Sequence, residues 1–167
     1  MTDTQSNPRS TLSPRPVQLP IDDWPDGLEE TAFIVKLPIR EISRRAGLRF
    51  EEGSDSLDDF QAALLRIPKL GCKTEPRHFV LQAYRNMPGG GINVIPDVPS
   101  TLMIEFIVDM LELRPYEIEW ATPRTSHRLR ELWRQRRSKF NTRGKQPTRR
   151  RRIIKQISAE IRHRHKV

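Results

Sequence analysis

Four histidines, one cysteine and a group of acids between Glu51 and Asp59 are the residues whose types suit catalysis or metal binding. His78 and His127 stand far apart in the chain. His163 and His165 alternate with arginines, which repel a dication. A single cysteine, Cys72, supplies neither a cysteine-based zinc set nor an internal disulfide. Glu51, Glu52, Asp55, Asp58 and Asp59 lack EF-hand spacing and read as solvated acids at a helix N-terminus. Gly89–Gly91 lacks the lysine and Ser/Thr of a phosphate-binding loop and reads as a loop. No spacing pairs a nucleophile with a base. The chain therefore reads as a non-enzymatic protein with no cofactor and no metal.

Arginine carries the remaining signal. The 167 residues hold 30 Lys+Arg against 21 Asp+Glu, a net charge of +9. Positions 1–123 carry 13 basic and 19 acidic residues, a net of −6, whereas positions 124–167 carry 17 basic and 2 acidic, a net of +15. A one-sided field of this size suits a polyanion. Arg124, Arg128, Arg130, Arg134, Arg136, Arg137, Lys139, Arg143, Lys145, Arg149, Arg150, Arg151 and Arg152 are the candidate nucleic-acid-binding residues. Guanidinium forks match phosphate oxygens, and helical spacing lets several follow one backbone. The rival readings are a solvated tail and one that folds back on its acidic body.

The elements that must position these residues are read from pattern. Apolar residues make up 35% of the chain and mean hydropathy is −0.67, so a modest core with solvated flanks is expected. Residues 1–30 are broken by five prolines and read as disordered or loosely attached, with Trp24 as an anchor. AFIVKL, within 31–37, is open between strand and helix. Pro38 starts a helix that Gly47 ends in a left-handed cap. EISRRAGL also has the pattern of the first half of a helix-turn-helix. The acidic RFEEGSDS that follows suits no recognition helix, so an ordinary capped helix is the favoured reading.

Residues 54–70 are expected to be a helix, capped by Ser56 or Asp55, with Leu57, Phe60, Ala63 or Leu64, and Ile67 on one side. Residues 76–96 form either a helix followed by a glycine loop or a hairpin of FVLQAYR with GGGINVI. Asp97–Leu113 carries the clearest helical pattern, with Asp97 and Ser100 as caps. YEIEWA is a short helix or strand. Pro123 then opens a basic helix, anchored by Leu129, Leu132, Trp133 and Phe140. A last amphipathic helix over 149–167 carries Ile153 or Ile154, Ile157 and Ile161 on one side. The expected fold is mainly α: a small helical domain with a basic helical extension. The alternative is α+β, with a small sheet from 31–37, 78–84 and 92–96. The expected division is a segment 1–30, a body 31–123 and an extension 124–167.

Three stretches share a further pattern: RHFVLQAYRNMPG, DVPSTLMIEFIVDMLEL and EWATPRTSHRLREL. Through Arg77, Leu81, Gln82, Pro88, Gly89, Val98, Pro99, Arg124, Thr125, His127, Arg128 and Glu131 the region 77–132 resembles the N-terminal domain of Tn-three-type (TnpA) replicative transposases. The resemblance implies a helical domain that binds the terminal inverted repeats of a transposon. The acidic catalytic domain of that family has no counterpart here, so what is implied is a DNA-binding piece and not a transposase.

Two binding readings follow. The first is DNA binding by the helices after Arg124. The second is a structural or assembly protein whose basic tail meets RNA, as ribosomal-type tails do, or an acidic protein. Dominant helix favours the first, and clear strand content the second. Nucleic acid is the expected partner, with DNA ahead of RNA. A protein partner or homo-oligomer stays open, and no membrane is expected. A cytoplasmic or nucleoid-associated location is expected, because no signal peptide or spanning run appears.

Overall fold

A computed structural model describes residues 15–72, 75–86 and 90–144, with side chains described as far as Ser138. Two units, Met1–Leu129 and Arg130–Val167, divide the chain. In order, the elements are β1 (Val17–Leu19), β2 (Phe33–Val35), α1 (Ile39–Ala46), β3 (Glu51–Ser54), β4 (Asp59–Ile67), β5 (Arg77–Tyr84), β6 (Ile92–Pro96), α2 (Thr101–Met110), β7 (Ile118–Ala121) and α3 (Pro123–Gly144). Short 3₁₀ turns lie at Ile21–Asp23 and Pro115–Glu117.

The seven strands form one sheet in the order β1-β4-β5-β6-β2-β7, and β3 also pairs with β4. Every pairing is antiparallel. β4 is its centre of gravity. β5 runs beside its full length, from Phe60 opposite Tyr84 to Ile67 opposite Arg77. The other edge is shared: β3 pairs with Asp59–Ala62 and β1 with Leu64–Arg66.

This architecture overturns the mainly α expectation; the fold is α+β. The α+β alternative had named three of the strands, β2, β5 and β6. The largest correction is 54–70, expected as a helix and found as a turn and β4. The run from Ala62 to Leu65 is buried without a break. Ala62 and Leu64 face one side of the sheet, Ala63 and Leu65 the other. A strand covered on both faces reads as a continuous apolar run, and Leu57 in the turn with Phe60, Leu64 and Ile67 in the strand imitate helical spacing. Leu57, assigned to the helical core side, is 80% exposed in the turn. Asp55, read as a helix cap, accepts the N–H groups of Leu57 and Asp58 at 2.8 and 3.2 Å instead. The same side-chain acceptor that caps a helix also closes a turn.

On one face, Ala62, Leu64, Val80 and Ile95 pack with Leu28, and Leu19, Ile21, Trp24 and Phe60 close over them. Trp24 donates its Nε1–H to the carbonyl of Leu28 at 3.2 Å. α2 meets the opposite face, where Phe106 sits edge-on to Phe79 with ring centroids 6.3 Å apart. Ser100 caps α2 by accepting the Met103 N–H at 3.2 Å. Asp97 instead accepts the His78 N–H at 2.9 Å and so ties the end of β6 to β5. α1 ends at Gly47 (φ 67°, ψ 28°), whose N–H reaches the Ser43 carbonyl. Strand β3 follows, so no helix-turn-helix is built.

Gly53 lies opposite Phe60, and a Cβ there would come within 2.6 Å of the Phe60 ring. That ring is held edge-on between Trp24 and Tyr84, each with its centroid 6.0 Å away. Gly53→Ala is expected to cost about 1–3 kcal/mol, the usual penalty for overpacking, read as a lower urea midpoint with an unchanged slope.

Arg45 joins α1 to the chain beyond α2. Its guanidinium donates to both oxygens of Glu117 at 2.8 and 3.1 Å, to Glu41 at 2.8 Å and to the Glu112 carbonyl at 3.1 Å. Glu117 also accepts the Arg114 N–H. Arg45 and this backbone donor hold the Glu117 carboxyl below its ordinary value of 4.5. Arg44 and Arg45 bring Glu41 down to about 2. Both acids have lowered folded-state values, so their stabilising contribution is present above the unfolded value and is lost as pH falls through the folded one. Arg45→Met is expected to cost about 3 kcal/mol, because it leaves a buried carboxylate unpaired. Stability of the wild type should also fall more steeply than that of Arg45→Met between about pH 5 and 2, as denaturant midpoints would show.

Candidate nucleic-acid interface

Arg124, Arg128, Arg130, Arg134, Arg136, Arg137 and Arg143 lie on α3, and its start is fixed by local chemistry. Thr122 donates its N–H to the Ala32 carbonyl at 3.0 Å, beside β2. Its hydroxyl oxygen accepts the Thr125 N–H at 3.3 Å and bonds the Thr125 hydroxyl at 2.9 Å. Pro123 occupies the first helical position, where a missing N–H costs nothing. Thr125 and Leu129 are buried.

In the first unit, Arg124 and Arg128 stand one turn apart. Arg124 is exposed and Arg128 half-buried. The Nη1 of Arg128 is shut off from solvent and has no hydrogen-bond partner. Burial first, and the like charge of Arg124 second, push the Arg128 guanidinium below its ordinary value.

In the second unit, Arg130, Arg134 and Arg137 are exposed, while Arg136 is half-buried and Leu132 buried. The spacing i, i+4, i+7 puts Arg130, Arg134 and Arg137 in one stripe along about 10 Å of helix. Arg134 reaches Glu131 at 3.3 Å in an exposed pair, which is too solvated to hold it firmly. Lys139 and Arg143 belong to α3, but their side chains lie outside the described residues, as does that of Phe140. Lys145, Arg149, Arg150, Arg151, Arg152 and the expected helix over 149–167 lie outside them altogether.

Of the resemblance residues, Arg77, Leu81 and Gln82 lie on strand β5, where the transposase pattern has a helix; Arg124, Thr125, His127, Arg128 and Glu131 lie on α3. Among the described residues no group of three or more His, Cys, Asp or Glu is placed to hold a metal ion, and no helix is long and apolar enough to cross a membrane. No family model, curated protein or solved structure matches the chain.

Sequence reasoning missed a cavity of about 460 Å³ lined by Arg15, Pro16, Leu70, Leu102, Glu105, Phe106, Asp109 and Met110. Phe106 and Met110 are half-buried on α2. The stripe that is buried runs Met103, Ile104, Ile107, Val108 and Leu111. The four-residue recurrence of Leu102, Phe106 and Met110 beside two acids was the available signal.

Arg128 generates a stability test. Replacing a part-buried guanidinium that leaves one N–H group unpaired with an apolar stem removes a desolvation cost. Arg128→Met is expected to leave stability unchanged or raise it by up to about 1 kcal/mol, measured by thermal and urea unfolding.

Proposed function

We propose that the protein binds a nucleic-acid backbone through the arginines of α3 and acts by binding, without catalysing a reaction. The observation that carries this reading is the exposed Arg130–Arg134–Arg137 stripe, at the start of a segment with a net charge of +15. Guanidinium groups on one side of a helix can each take a phosphate along a single strand or groove wall. A polyanion drawn to the basic residues after Arg124 is also repelled by the net negative charge of positions 1–123. The likeness to transposase end-binding domains, carried on α3 by Arg124, Thr125, His127, Arg128 and Glu131, makes duplex DNA the first polymer to test.

The second reading, an assembly protein on structured RNA, is favoured by the seven-stranded sheet. Strand content was the feature set out to separate the two. Competition between duplex DNA and a structured RNA for the same protein chooses between them.

Affinity for the preferred polymer should fall steeply with salt. Replacing Arg130, Arg134 and Arg137 with glutamine should flatten the slope of log K against log salt by roughly 2–3, since each phosphate contact contributes about 0.9 on duplex DNA. Fluorescence anisotropy at several salt concentrations reads this directly. No binding to either polymer at low salt would refute the proposal.

A further inference from the structure

We infer that the cavity beside α2 is a docking groove for the C-terminal segment, residues 149–167, of a second copy of this chain. This goes beyond nucleic-acid binding and does not rest on it. The groove belongs to the first unit. Its floor is apolar: Pro16, Leu70, Leu102, Phe106 and Met110 line it. At about 460 Å³ it is within the roughly 300–1,000 Å³ of ordinary binding clefts. Leu102 is 52% exposed, so a large apolar side chain is left standing in solvent at the groove. The carboxylates of Glu105 and Asp109 line the same groove. α2 thus carries two apolar stripes, one in the core and a second one that an occupant would cover.

The chemistry of the groove describes its occupant: a helix-spaced apolar stripe flanked by cations. Residues 149–167 read RRRRIIKQISAEIRHRHKV. Ile153 or Ile154, Ile157 and Ile161 recur at i, i+3/i+4, i+7/i+8, the spacing by which an amphipathic helix enters an apolar groove. Lys155 and Arg162 flank that stripe, and nothing in the segment but Glu160 opposes the groove's acids. Arg15 also lines the groove, so the segment's cations are placed on the side of Glu105 and Asp109. A second copy is the donor because each chain carries both halves of the contact, an apolar groove edged by acids and an apolar segment edged by cations, so two copies are complementary to each other.

The test is sedimentation of the full, nuclease-treated chain. Wild type should self-associate in a concentration-dependent way. Leu102→Glu, which removes the groove's apolar contact at an exposed position, should weaken association by at least about tenfold. Ile157→Asp, which removes the segment's central contact, should do the same. Both variants should unfold at the wild-type temperature, which separates lost docking from lost folding. A mixture of the two should regain association, because one supplies an intact segment and the other an intact groove. A wild type that stays monomeric at about 100 µM, association that survives in either variant, or a mixture that stays monomeric overturns the inference.

Discussion

Strand β4 has no free side. β5 takes one of its edges, β1 and β3 divide the other, and its two faces are covered by different parts of the chain. The N-terminal stretch from Leu19 to Leu28 closes one face, and α2 meets the other through Phe106 on Phe79. Each of these neighbours lacks a core of its own. A three-residue strand such as β1 is not stable alone, and α2 is too short to persist as an isolated helix. Removing the β4–β5 pair would therefore leave no surface on which either layer could form.

A second constraint links the elements that leave the sheet. Arg45 gathers Glu41, Glu117 and the carbonyl end of α2 around one guanidinium. The pair with Glu117 is buried, and its value to the fold is positional as much as energetic. It holds the turn before β7 in place, and β7 leads through Thr122 into α3. The first residues of the arginine-bearing helix are thereby fixed by the body. Arg128 shows the tension: its stem is drawn into the protein while one end of its guanidinium has no partner.

The legible parts of the fold were those decided within a few residues. Ser100 caps α2, Gly47 ends α1 in a left-handed conformation, and Pro123 opens α3; each depends on a side chain meeting its own neighbouring backbone. The segment 54–70 was misread because Phe60, Leu64 and Ile67 satisfy a helical period while Ala62–Leu65 satisfies a doubly buried strand. Asp55 did not arbitrate, since its hydrogen bonds to Leu57 and Asp58 serve a turn as well as a cap. Residues 77–96 stayed open for the same reason: a strand's hydrogen-bond partners lie on another strand, beyond any local window. Within the candidate interface, sequence placed the arginines of α3 on a helix, but which of them are exposed depends on what the rest of the molecule covers.

The charge division at Arg124, the cap of α2 at Ser100 and the start of α3 at Pro123 were determined by the sequence itself, because each follows from composition or from contacts within one turn. Tertiary structure alone decided that β4 and β5 are strands, that α2 buries Met103, Ile104, Ile107, Val108 and Leu111 while leaving Leu102 exposed, and that Arg128 carries an unpaired buried nitrogen. Those outcomes turn on pairing and coverage between residues far apart in the chain, and no periodicity encodes which distant segment will supply the cover.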